Sequence, residues 1–575
     1  MVFHQWLDQI GDWNPQLFRE LKGRLTKKNF GLVAIAAFLF QGMIYLSLRM
    51  SLPSPELTST APFTNHYCIG AAPASFGPDS YLFQNQNFCI ADATGNFQLN
   101  WPLWWTDLFM TLSIMGFFAS LLGGVYLIIQ DLGKEEKAGT LNFVRLSPQS
   151  AQAIALGKIL GVPSLIYGGL ALVFPLHLWA GLQGGIPLLL ILLFYGVVTA
   201  SYGFFFSGAA LYSLVNLAQP ALKAWLAAGG LFYLMLGSTT FILQATNHLG
   251  NLIDGINLFN PLHMLTFLGQ ASAATDQLTM FNYDGLADVT FFRIPFWQNG
   301  AITGGIYFLL YGLGLYGCFL GFRRKFHSPN STLLSKKQSY ILTALLTLFG
   351  LGFTLQEPLS NVANHNDWLS NFLLLALAGS CYLFALMAAL SPSFQAVQDW
   401  SRYERGTQQE WFTGERSPAM GAMMINISIT MGAIALGVLF MVENPYKMLF
   451  ALGVVMQALM VMLLCLLGQR LLLRKGKRQK LAATVVVGGS IVLPLIFLGV
   501  NGVDPQYQAA PWLWTIVPMV AAENASLPTI FLTILAQLGA IASLNHLLQR
   551  RIQQLGHSEL QQILSPTKES ISKTF

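Results

Sequence analysis

The side chains best suited to chemistry lie in two charged stretches between apolar runs. One reads Lys134-Glu135-Glu136-Lys137-Ala138-Gly139-Thr140-Leu141-Asn142-Phe143-Val144-Arg145-Leu146-Ser147-Pro148, the other Arg402-Tyr403-Glu404-Arg405-Gly406-Thr407-Gln408-Gln409-Glu410-Trp411 and on to Ser417-Pro418. Neither pairs a nucleophile with a base, and no His, Cys and carboxylate set has metal-ligand spacing. No G-x-x-x-x-G-K-[ST] phosphate loop occurs: Gly133-Lys134 and Gly157-Lys158 lack the earlier glycine and the following hydroxyl, and Gly476-Lys477 sits in a basic run. Catalysis by this polypeptide, a bound metal and a cofactor of its own are therefore not expected. The chemistry these stretches offer is contact, either with the surface of a soluble partner or within a solvated loop helix packed on the chain's own bundle. Glu135, Glu136, Lys137 and Arg145 supply ion-pairing groups around an apolar anchor of Leu141, Phe143, Val144 and Leu146, the usual rim and core of an interface.

The elements that must hold these loops follow from composition. Of 575 residues, 54% are hydrophobic and 10% charged, too little charge to clothe a water-soluble surface. Apolar runs of about 20 residues, the length a helix needs to cross a hydrocarbon layer of about 30 Å, recur along the chain. They predict an all-α integral membrane protein with about twelve transmembrane helices. The spans fall near Phe30–Leu48, Leu108–Ile129, Ile159–Ala180, Pro187–Leu214, Ala224–Leu243 and Ala301–Gly321, then Tyr340–Thr354, Phe372–Leu390, Ala422–Met441, Met448–Leu467, Leu481–Val500 and Thr529–Leu544. The first run is long enough to remain in the bilayer, so it reads as an ordinary first span and not as a cleavable signal.

The formal charge of +6 does not point to nucleic acid, because the basic residues sit in short clusters between spans. With a cytosolic N-terminus, 28 of the 31 Lys and Arg fall in cytosolic segments; only Arg49, Arg293 and Lys447 do not. Both termini are thereby expected in the cytosol, across the inner (plasma) membrane of a cell, with an internal membrane as the other location. The outer loops 49–107 and 244–300 are long, and the first contains Cys68 and Cys89, either a disulfide or two unpaired thiols. Before the first span, Asn14-Pro15 is a helix-start signal. The residues after it put Leu17, Phe18, Leu21 and Leu25 on one face, as in an amphipathic helix lying in the interface, with a basic flank that anchors the first span as the other reading.

The two charged loops look like copies. Gly139-Thr140 matches Gly406-Thr407 and Ser147-Pro148 matches Ser417-Pro418, with three extra residues in the second loop. Each follows the second span of a set of six, and each set carries a short apolar, Pro-containing outer segment between its fifth and sixth spans, Phe259–Leu268 and Pro511–Val520. Both segments are too short to cross, and read as re-entrant or interfacial helices, with simple aromatic-rich outer loops as the alternative. The expected organisation is a cytosolic N-terminus with the interfacial helix (1–29), a first six-span unit (30–325), a second six-span unit (326–549) and a cytosolic tail (550–575), as parallel repeats.

Ion-coupled carriers place ionisable side chains at membrane depth. The proposed spans hold no Asp, Glu, Lys or Arg away from their ends, and His177 and His546 lie near boundaries. Energy for uphill transport is then expected from outside the bilayer.

With those residues in view, the chain resembles the type-2, exporter-type permeases of the ATP-binding-cassette transporters, as two six-span units fused in tandem. The matching features are the interfacial helix, Glu135 to Leu141, the Ser147-Pro148 turn, Leu156-Gly157-Lys158 before the third span, and the short outer segment. The resemblance implies that the loop after the second span is a coupling helix seated in a groove of a separate ATP-binding subunit, which would bind the ATP and magnesium. Residues 135, 136, 139, 140, 141 and 145 carry that role in the first loop. Glu404, Arg405, Gly406, Thr407 and Glu410 carry it in the second, where Gln408-Gln409-Glu410 replaces apolar residues and no Leu-Gly-Lys follows. The implied partners are two ATP-binding subunits and membrane lipid. An ion-coupled secondary carrier and a non-transporting membrane scaffold are the alternative readings.

Overall fold

The architecture comes from a computed structural model of the full chain. It describes residues 9–53, 64–70, 88–90, 96–215, 219–244, 252–272, 289–297, 299–355, 365–403, 408–442, 445–474 and 478–556. The chain divides into two compact units, one from Met1–His248, Ile256–Val289 and Pro295–His327, the other from Leu249–Gly255, Thr290–Ile294 and Ser328–Phe575. Apart from the two-residue strands Thr290–Phe291 and Ile294–Pro295, the regular elements among the described residues are helices.

The first unit starts where the sequence signals a start. Asn14 Oδ1 accepts the Leu17 amide at 3.0 Å and Pro15 opens α1 (Pro15–Arg24), so cap and pre-set φ act together. Helices α2 (Lys27–Met50) and α3 (Trp101–Lys137) follow, capped by Thr26 and Asn100. The 37 residues of α3 reach about 55 Å, well beyond a hydrocarbon layer. Its charges bracket the apolar part: Asp107 and Asp131 enclose residues 108–130, about 35 Å of helix without a charge. Around the N-terminal end of α3, Trp101, Trp104, Trp105 and Tyr45 cluster as an aromatic belt, and the Trp104 indole donates to Leu48 O at 2.9 Å. Cys68 and Cys89 are joined in a disulfide in the loop before α3, their Cα atoms 5.0 Å apart.

After α3 come the one-and-a-half-turn α4 (Thr140–Arg145), α5 (Ala151–Gly161) and α6 (Ser164–Gln183). The sequence placed one span at Ile159–Ala180. Pro163 divides it, since proline has no amide for the Ile159 carbonyl one turn earlier. The Tyr167 hydroxyl takes that orphaned carbonyl at 3.0 Å. Helices α7 (Leu188–Ser213), α8 (Pro220–Gln244) and, after the long loop, α11 (Gly300–His327) complete the unit. Between α8 and α11, α9 (Leu252–Asn257), a 3-10 turn (Pro261–His263) and α10 (Met264–Gln270) include the segment read as re-entrant. Leu262, Met264, Leu265 and Leu268 are fully buried there.

The second unit contains α12 (Lys336–Thr354), α13 (His365–Leu390), α14 (Phe394–Tyr403), α15 (Gln408–Thr413), α16 (Met420–Met441), α17 (Lys447–Leu472), α18 (Gln479–Val500), the short α19 (Ala509–Trp512) and α20 (Met519–Ala522), and α21 (Leu527–Gly556). Eleven helices of the described residues are long and apolar enough to cross a membrane, against the twelve expected. The difference is α12, where the sequence placed Tyr340–Thr354. Its Ser339, Thr343 and Thr347 dilute the apolar run because they bond inward: Asn426 Nδ2 donates to Ser339 Oγ at 3.0 Å and Thr343 Oγ1 to Asn426 Oδ1 at 2.7 Å. Gln457 Nε2 does the same for α17 and α13, donating to Ser380 Oγ at 2.9 Å. Uncharged amides and hydroxyls glue helices where apolar surroundings give no other driving force.

Candidate functional site

At the basic end of the first unit, three helices meet on one side chain. Lys158, on α5, is fully buried, and its ammonium contacts Glu20 of α1 at 2.7 Å, Asp131 of α3 at 2.6 Å and Glu135 of α3 at 2.9 Å. Two arginines of α1 close the cluster: Arg19 reaches Glu135 at 2.6 Å, and Arg24 reaches Asp131 at 2.5 Å and Glu20 at 3.2 Å. Three carboxylates therefore face three cations. The carboxylates converge closely enough to ligate a metal ion, but the Lys158 ammonium takes that position. Burial pushes the Glu20 carboxyl up, yet Lys158 and then Arg24 outweigh it and hold the group below its ordinary value. Burial likewise pulls Lys158 down, and Asp131, Glu20 and Glu135 more than restore it, leaving it above the ordinary lysine value.

The helices come this close because α5 carries glycines one turn apart. A methyl on Gly157 would lie 2.8 Å from Gln16 Cγ, and one on Gly161 2.4 Å from Glu20 Cβ, so only glycine lets α1 cross α5 here. Asn14 adds a second tie, donating from Nδ2 to Ala153 O at 2.8 Å. Glu20 and Arg24 lie one turn apart on α1, as do Asp131 and Glu135 on α3, so each helix offers its charges on one face.

The charged loop projects from this cluster. Gly139 has φ +75°, a left-handed conformation that glycine adopts freely, and it turns the chain from α3 into α4. Thr140 Oγ1 donates back to Glu135 O at 3.1 Å. Leu141 is 1% exposed and plugs α4 onto its own unit, whereas Phe143 and Leu146 are 77% and 85% exposed. Arg145 stacks over the Phe326 ring, 5.7 Å to its centroid, and donates to Asn142 Oδ1 at 2.9 Å. Of the residues the sequence assigned to a partner surface, Glu135, Leu141 and Arg145 are turned to internal contacts. Glu136 is half-buried, Thr140 is exposed, and the outward apolar surface belongs to Phe143 and Leu146.

The second loop is built differently. Lys336, buried at the start of α12, donates to Trp411 O at 2.7 Å, Ser417 Oγ at 2.6 Å and Pro418 O at 2.9 Å. Its partners are neutral, and burial lowers its ammonium to about 8. Trp400 and Trp411 pack edge to face, 5.1 Å between centroids. Glu410 is half-buried at the start of α15, while Glu404, Arg405, Gly406 and Thr407 lie outside the described residues.

No protein-family model, curated protein or solved structure matches this chain.

Sequence reasoning missed the cluster itself. Lys158 entered only as part of a Leu-Gly-Lys lead-in, and Glu20 and Asp131 did not enter. A signal was present: one lysine as the sole charge of the mostly apolar α5, and carboxylates one turn apart at the end of an apolar helix.

Proposed function

We propose that this chain is the membrane-spanning permease of an ATP-driven exporter of the ATP-binding-cassette type, two six-span units in tandem, that couples to separate ATP-binding subunits through its cytosolic loops. One observation carries this reading. A short helix presents two apolar side chains, Phe143 and Leu146, to the outside, while its base is fixed to three helices by the buried Lys158 cluster. Such a knob can accept a push from a docked subunit and pass it to the bundle, because Lys158 ties α1, α3 and α5 together and α6 continues from α5.

The distribution of charge supports the same reading. Among the described residues, the buried charged side chains are Glu20, Asp107, Lys158, Lys223, Asp254 and Lys336, and those on long apolar helices lie towards helix ends. A body with that arrangement suits an apolar or amphipathic cargo and an external energy source. In this reading both termini are cytosolic, the protein resides in the plasma membrane, and the ATP-binding subunits hold ATP and magnesium. The test is transport in inside-out vesicles containing the chain and its ATP-binding subunits. Transport should stop on ATP depletion and persist with an ionophore present; the reverse pattern would assign an ion-coupled carrier.

A further inference from the structure

Within the first unit, helices α2, α3, α6 and α7 line a half-open pocket of about 560 Å³, a volume typical of small-molecule sites. Its walls are apolar and aromatic, with two hydrogen-bonded polar groupings and no charged side chain. In the first, His177 Nε2 lies 2.7 Å from Ser113 Oγ and Nδ1 lies 2.6 Å from the Tyr195 hydroxyl. In the second, the hydroxyls of Ser120 and Tyr202 meet.

One arrangement of the protons uses both backbone carbonyls. With Ser113 donating to Phe109 O at 2.8 Å, Nε2–H donates to Ser113 and Nδ1 accepts from Tyr195. With Ser120 donating to Gly116 O at 2.6 Å, its oxygen accepts from Tyr202. In that arrangement both tyrosine hydroxyls give their protons to the protein, and each keeps a lone pair. Tyr195 and Tyr202 are seven residues apart on α7, two turns on one face, about 10 Å along the axis. Beside them Phe117 stacks on Tyr202, 5.8 Å between centroids, and Tyr202 on Phe206 at 5.5 Å.

From this geometry we infer that the cavity binds an uncharged, ring-bearing lipid alcohol whose hydroxyls donate to Tyr195 and Tyr202. An anionic lipid finds no cation in the walls, and a ketone or ether brings only acceptors to a site that offers acceptors. The inference stands whether or not the chain is an exporter, since cargo and resident lipid would occupy the site alike.

The test uses the full chain in phosphatidylcholine nanodiscs and tritiated estradiol, a rigid apolar body with a hydroxyl at each end. Saturable binding is expected. Its dimethyl ether should compete at least tenfold less well, and palmitate should not compete. Tyr202→Phe, which keeps ring and volume, should weaken binding about fivefold, the loss of one hydrogen bond. Gly116→Leu should abolish binding, because a side chain added at Gly116 meets nothing within 4 Å and projects into open space. Equal competition by the ether, competition by palmitate, or full binding by a Gly116→Leu protein that elutes as wild type does would each overturn the assignment.

Discussion

Lys158 is the residue on which the site turns, because its ammonium is the common partner of three carboxylates from two other helices. Lys158→Met leaves Glu20, Asp131 and Glu135 facing only Arg19 and Arg24, an uncompensated negative charge in a largely buried place. Breaking buried pairs in this way costs about 3–5 kcal/mol. We expect a lowered melting temperature in detergent and loss of protection for a cysteine placed at Ala153; an unchanged melting curve would contradict the role given to the cluster. The pH dependence has a definite sign. Glu20 is held below its ordinary 4.5, so its contribution is present above that value and is lost as pH falls through the lower, folded value. Lys158 is held above its ordinary 10.5, so its contribution is present below that value and is lost as pH rises through the higher one. Stability of the basic end should be flat between those limits and fall at acid pH, and the Lys158→Met protein should lose the part of the acid slope that the Lys158–Glu20 pair contributes.

At the scale of elements, the close crossing of α1 over α5 depends on Gly157 and Gly161. Gly161→Leu would drive a side chain into Glu20 Cβ and should separate α1 from the unit, read as new protease cleavage between residues 14 and 26; continued protection would count against the crossing. The knob α4 behaves oppositely. Phe143→Ser and Leu146→Ser remove only exposed surface and should change stability by less than about 0.5 kcal/mol, while abolishing co-purification with an ATP-binding subunit. Gly139→Trp should act through the backbone, since a side chain there has room but is strained at positive φ.

The long helices were legible in the sequence because a span must be a continuous run of apolar residues, a local property. Pro163 was equally visible, yet hydropathy alone passed over it, since the residues on both sides are apolar. The Lys158 cluster was not legible as a unit. Its carboxylates lie 23 to 138 positions from Lys158, and only packing shows that α1 and α3 present their charges to the same lysine. For the same reason the internal ion pair of Glu135 and the burial of Leu141 could not be read from the sequence. The apolar residues of α12 read as a span, but nothing in the sequence showed that its hydroxyls bond inward to Asn426.

Across the whole molecule, the proposed function leaves the apolar body passive, with the energy coming from a docked ATPase. The two units hold their loops by unlike means, Lys158 with carboxylates in one and Lys336 with neutral oxygens in the other. Lys336→Met should therefore leave the first loop's cross-links intact while loosening the second, an asymmetry that paired cysteines in each loop can read. The most direct test of the central claim is site-directed cross-linking in native membranes from a Phe143→Cys chain, with the captured polypeptide sequenced and ATP hydrolysis of the purified complex measured. The account predicts a partner carrying a phosphate loop, with capture lost on adding Leu146→Asp and hydrolysis dependent on the pair. Cross-links only within the chain, or a partner without a phosphate loop, would contradict it.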